Sequence, residues 1–140
     1  MTNAAIERFI DQQRVARLAT VDSDGRPHIV PIVFVYQDET LYTPIDLKPK
    51  DVQPQRLRRV LNIAQNPDVQ VLLDRYDEDW QQLGFVQLRG TAKLLDAGSD
   101  YDVALRMLDQ KYSQYKDLPL EGRPVIKVNI DRIVSWGRFV

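Results

Sequence analysis

The chain has 140 residues, 44% of them hydrophobic and 28% charged, with a net charge of −1, the composition of one ordinary globular domain (1–140) that can bury a core without staples. The near-neutral balance excludes a general nucleic-acid binder, so any basic site is local. The absence of cysteine removes disulfides, thiolate nucleophiles and zinc–sulfur sites, and a single histidine, His28, is too little for a metal centre. No apolar run approaches a membrane span, and Met1–Gln13 lacks the basic start and apolar core of a signal peptide; a cytoplasmic location is expected.

Thr2 or Asn3 can cap a first helix whose Ile6, Phe9 and Ile10 form a narrow apolar face, a lid or plug ending near Gln13. Val15–Val21 and the Ile/Val-rich Pro27–Tyr36 read as strands joined by the turn Asp22-Ser23-Asp24-Gly25. Gln37-Asp38-Glu39 turns into a third strand, Thr40–Pro44. The Leu41–Asn66 stretch then passes through a proline-stiffened loop into a helix from Gln55 onward, where Leu57, Val60, Leu61 and Ala64 hold helical spacing. Asn66-Pro67 stops it. Val69–Tyr76 is a fourth strand, and Asp77-Glu78-Asp79 with Trp80 an exposed hairpin loop. Leu83–Asp96 is a fifth, in which Val86, Leu88 and Gly90 alternate with Gln87, Arg89 and Thr91, so one face is wet. Ser99 or Asp100 caps a helix carrying Val103, Ala104, Met107 and Leu108 on one side. Tyr112–Arg123 is a loop, and Pro124–Trp136 closes the chain as a sixth strand. Six strands with peripheral helices predict a mainly β (α+β) fold, a closed antiparallel barrel.

The chemistry concentrates between the third strand and the following helix. Lys48, Lys50, Arg56, Arg58 and Arg59 place five of the 19 basic residues within twelve positions. The arginines lie off the apolar stripe, in the first turns of a helix whose dipole and orphan N–H groups are already positive. A bound anion compensates such a cluster, and phosphate is the first choice; the plain alternative is a solvated basic face. There is no GxGxxG after a strand, no P-loop, no GxSxG and no HExxH, so the dinucleotide-fold, NTPase, serine-hydrolase and zincin readings lack their main residues. No catalytic residue is assigned. His28 reads as a strand histidine, and Trp80 and Trp136 as core or interface aromatics. Chemistry without a nucleophile or metal points to a cofactor.

The segments ARLATVDSDGRPHIVPIVFVY, LYTPIDLKPK, LRRVLNIAQNPDVQVLLDRY and LRGTAKLL, in this order over nearly the whole chain, resemble the flavin-binding split barrel of the pyridoxamine 5′-phosphate oxidase-like superfamily. The likeness is to its small branch that uses the F-420 deazaflavin. The resemblance implies a six-stranded split β-barrel and a homodimer with two flavin sites at the subunit seam. It implies that Lys48 and Lys50, supported by Arg58, hold the cofactor phosphate. Ile29, Val30, Pro31 and Ile32 of the second strand and Thr43, Pro44 and Ile45 would line the ring, with Trp136 near it. The chain lacks the longer C-terminal arginine and histidine segment that grips a pyridoxamine phosphate, which argues against vitamin B6 oxidation.

The expected function is hydride transfer between F-420 and a small unsaturated or quinone-like substrate. The alternatives are an FMN-dependent flavin reductase or oxidase, and a non-enzymatic carrier of flavin or haem. A nucleic-acid-binding barrel would need a basic, aromatic-studded strand face that this sequence lacks; neither nucleic acid nor membrane is expected as a partner.

Overall fold

Helix α1 (Ala4–Gln12) starts where Asn3 can cap it: the Asn3 Oδ1 accepts from the Ile6 N–H at 2.9 Å. The structure, a computed structural model, describes residues 3–45 and 56–139. Strands β1 (Ala16–Val21) and β2 (Pro27–Ile32) form the expected hairpin. Its turn is built on Asp22, which accepts from the N–H groups of Asp24 and Arg26 at 2.8 and 2.9 Å. These donors, that of Arg26 foremost, hold the Asp22 carboxyl below the usual carboxylate range. Next come β3 (Val35–Gln37) and β4 (Thr40–Pro44), joined by a two-residue turn in which Asp38 and Glu39 both have positive φ, the twist a tight hairpin needs. Helix α2 (Arg58–Gln65), β5 (Asp68–Arg75), β6 (Gly84–Leu95), α3 (Ser99–Lys111) and β7 (Val125–Gly137) complete the order.

All seven strands belong to one sheet, ordered β2-β1-β5-β6-β7-β4-β3, with every pairing antiparallel. β2 and β3 are its two edges, yet only residues 33 and 34 separate Ile32 from Val35. That link holds the edges within about 11 Å of each other. A sheet tied together at its outer strands has to curl, and a half-barrel results. There are seven strands rather than six because the predicted strand Pro27–Tyr36 breaks at Val33-Phe34. There the backbone leaves the ladder for a side chain: the Phe34 N–H donates to the Tyr112 hydroxyl at 3.2 Å, and that hydroxyl donates to the Arg14 carbonyl at 2.8 Å. Tyr112 thus bridges the barrel's corner from the far end of α3. Since Tyr112 and Phe34 are both buried, Tyr112→Phe should cost about 1–3 kcal/mol in urea unfolding, the desolvation penalty of unmet backbone groups; a change within error would mean that water replaces the hydroxyl.

Alternate residues of each strand face inward. Leu18, Val71, Leu73, Val86, Leu88, Ile126 and Val128 fill the barrel, with Ile6, Phe9 and Ile10 of α1 and Val60 and Ile63 of α2 in the same cluster. The first helix is therefore a plug, as its narrow apolar face predicts. α3 covers the outside, where Tyr101, Ala104 and Leu108 pack on Val35, Tyr42 and Val125. β6 and β7 change register between Arg89 and Gly90. A Cβ on Gly90 would overlap the Asn129 carbonyl, so only glycine permits that approach. No helix among the described residues is long and apolar enough to cross a membrane.

Candidate functional site

Two concavities meet along β2. A cleft of about 210 Å³ lies where the β2–β3 corner, β4 and the start of α2 converge, lined by Val15, Pro31, Ile32, Val33, Thr43, Pro44 and Arg59. A trough of about 600 Å³ runs over the outer face of β1, β5 and β6, with Ala19, Ile29 and Leu72 on its floor and Arg17, Gln87 and Arg89 among its polar groups. The trough is the wet face that alternation in the fifth predicted strand implies. Its floor is unusually apolar for such a face, with Ile29 63% exposed. Arg17 pairs with Asp74 at 3.3 Å on its rim.

The predicted ring residues divide between these places. Pro31, Ile32, Thr43 and Pro44 come together in the cleft, and Ile29 lies in the trough. Val30 is half-buried against the core and Ile45 fully buried in it, so Ile45 can offer a ligand backbone groups but not its side chain. Lys48 and Lys50 lie outside the described residues. Trp136 is 54% exposed and stacks on Phe85 with ring centroids 6.0 Å apart. It sits ten residues along β7 from Ile126, the partner of Thr43. That is about 30 Å of strand, so Trp136 and Thr43 of one chain cannot flank one ring.

Helix α2 supplies the charge. No side chain caps it and its first turn holds no acidic residue, so arginines stand at an end that is already positive. Arg58 is exposed. Arg59 lines the cleft and has its Nε buried. The sequence reading counts Arg59 in the basic cluster but gives the supporting role to Arg58, although a signal for Arg59 exists. Ile63, four residues on, is buried, which puts Arg59 on the inward flank, whereas Arg58 shares its side with the exposed Leu61. The Asn62 Nδ2 donates to the Thr20 hydroxyl at 3.0 Å and locks α2 onto β1. His28, opposite Thr20, is half-buried in the same region. No cluster of three metal-ligating side chains occurs among the described residues.

The cleft brings the Arg59 guanidinium beside Pro31, Ile32, Thr43 and Pro44. A model of the pyridoxamine 5′-phosphate oxidase family matches residues 2–137, and the chain belongs to this family of flavin-type oxidoreductases. It is 28% identical over 135 residues to a 5a,11a-dehydrotetracycline/5a,11a-dehydrooxytetracycline reductase of Streptomyces rimosus, covering 92% of this chain and 78% of that one. Solved structures share the fold. An FAD-binding protein of Mesorhizobium loti superposes with a TM-score of 0.68 at 20% identity, covering 96% of this chain and 94% of the other. The haem storage protein HutZ of Vibrio cholerae superposes with a TM-score of 0.72 at 17% identity, covering 94% and 91%.

Proposed function

We propose that the protein is a reductase that uses the F-420 deazaflavin to reduce a small unsaturated or quinone-like substrate. The observation that carries this reading is the concentration of positive charge at the uncapped start of α2, beside the cleft. Arg59 is in the cleft, Arg56 and Arg58 are exposed beside it, and Lys48 and Lys50 precede them in sequence. One phosphate needs fewer cations, whereas F-420 carries a phosphate and an acidic polyglutamate tail. The Streptomyces relative is named for reducing a dehydro compound, which supports an unsaturated substrate. When bound, the deazaflavin supplies the hydride. The protein's own part is to seat the ring against Pro31, Ile32, Thr43 and Pro44, to neutralise the anionic chain with Arg59, and to keep water from the ring with apolar walls.

The site is shared in this reading. A two-fold dimer across the apolar trough would bring Trp136 of one protomer to its partner's cleft, which a single chain cannot do, and would cover Ile29 and Leu72. Sedimentation at micromolar concentration should give a dimer, and a monomer would remove the shared site. Oxidation of reduced F-420 by a quinone or an enone, followed by loss of reduced-cofactor absorbance, tests the activity. Turnover with reduced FMN alone would favour a flavin reductase, and haem binding without turnover a haem-binding or carrier protein.

A further inference from the structure

Helix α2 carries two arcs that compete for the barrel, and the structure buries the less apolar one. At about 100° per residue, Leu57, Val60, Leu61 and Ala64 fall on one side of the helix, the stripe the sequence predicts. In the structure Leu61 is 39% exposed and Ala64 is exposed as well. The buried arc runs instead from Asn62 through Ile63 to Val60, with Asn62 only 1% exposed. Viewed down the axis, Arg59 falls inside that arc, between Asn62 and Ile63, and so reaches the cleft. The two arcs share Val60 and differ by about a third of a turn. The barrel has room for the other one: an apolar groove of about 360 Å³ runs along Leu61 and Ala64, walled by Ala92 and Leu94 of β6 and Ile126 of β7. Apolar burial alone therefore favours a helix turned to set Leu61 and Ala64 into the groove, with Asn62 in water and Arg59 facing away from the cleft.

We propose that Asn62 is a positioning residue: its hydrogen bond to Thr20 holds α2 in the rotation that aims Arg59 into the cleft. The bond is closed to water, since Thr20 and Asn62 are each 1% exposed and the Nδ2 and Oγ1 atoms stand 3.0 Å apart. No side chain caps α2, and Val60 and Ile63 pack on the core through apolar contacts, which are non-directional and do not choose between the two arcs. The choice falls to the one buried amide. It is not an arrangement that stability alone selects: the Asn62 Oδ1 finds no protein partner among the described residues, and a buried polar pair contributes about as much as an apolar pair of the same shape. Fixing one packing against a competing one is the use to which such a pair is best suited. The service of Arg59 to an anion rests on the cofactor reading above, whereas the rotation of α2 does not.

Thr20→Val is the test, because it removes the acceptor, keeps the side-chain shape and leaves α2 untouched. An Asn62 amide left buried and unmet shifts the balance towards the turned helix by roughly fivefold to a hundredfold. Two readouts follow the rotation without any ligand. Phenylglyoxal, with the sites resolved by fragment-ion mass spectrometry, should modify Arg59 more slowly than Arg58 in the wild type and at a similar rate in Thr20→Val. The chain has no cysteine, so Ala64→Cys supplies a single thiol, whose reaction with a maleimide should slow when Thr20→Val is added. Asn62→Leu on top of Thr20→Val puts an apolar pair where the polar one stood and should restore both patterns, which a general loss of stability would not allow. F-420 affinity should fall in Thr20→Val, recover with Asn62→Leu, and be unaffected by Thr20→Val once Arg59→Ala is present. Should the labels move while F-420 affinity holds, Asn62 still sets the rotation and the assignment of Arg59 to the cofactor falls. Should Thr20→Val not fold, Asn62→Ala removes the other partner of the bond and is read in the same way. Arg59 still modified more slowly than Arg58 by the wild-type ratio, with the thiol at position 64 reacting as before, would overturn the inference.

Discussion

Gly90→Val should leave no stable native state at 25 °C, and Gly90→Ala should lose about 3 kcal/mol or more, against a total of about 5–15 kcal/mol for a typical domain. The cause is local and steric. At the register shift between β6 and β7 the Gly90 Cα faces the Asn129 carbonyl so closely that a Cβ would overlap it, and the next atoms met are also backbone, of Asn129 and Ile130. No side chain can swing aside, so the two strands at the middle of the sheet would have to part. Gly122→Ala is the control: its φ of +83° disfavours alanine, but nothing lies within 4 Å, so about 1–2 kcal/mol is expected. Urea unfolding of both variants gives the comparison, and equal losses would mean that the bulge yields.

Arg59→Ala should weaken cofactor binding by about 1.5–3 kcal/mol, roughly tenfold to a hundredfold, the worth of a hydrogen bond to a charged group. Arg58→Ala, on the exposed side of the same turn, should cost less than about threefold, because an exposed charge acts through screened solvent. The Lys48→Ala/Lys50→Ala double variant tests the two residues implied by the family resemblance and should lose at least as much as Arg59→Ala. A larger loss for Arg58 than for Arg59 would put the anion on the outer face of α2 rather than in the cleft.

The barrel was legible because its signals are local. Alternation in β5 and β6, the Asp22–Gly25 turn and the Asn66-Pro67 stop each act within a few residues. The break at Val33-Phe34 was not legible, since its cause is the Tyr112 hydroxyl, 78 residues away in sequence. Tyr112 itself looked like the first residue of a loop. The four side chains gathered in the cleft, Pro31, Ile32, Thr43 and Pro44, were named from the resemblance alone; nothing in their own spacing points to a ligand. Arg59 could have been separated from Arg58 by helical phase, but only once Ile63 rather than Leu61 counted as inward, with Asn62 beside it. A polar side chain is inward only because Thr20 waits on β1 to accept its hydrogen bond.

The central claim is that the cleft and the start of α2 hold a deazaflavin. The most direct test is a fluorescence titration of cofactor-free protein with F-420 and with FMN, each at low and high salt. Exposed charges are screened over about 8–10 Å at physiological ionic strength, so F-420, with its acidic tail against the surplus arginines and lysines, should bind more tightly and lose more affinity as salt rises. Tighter binding of FMN with the steeper salt dependence would contradict the account.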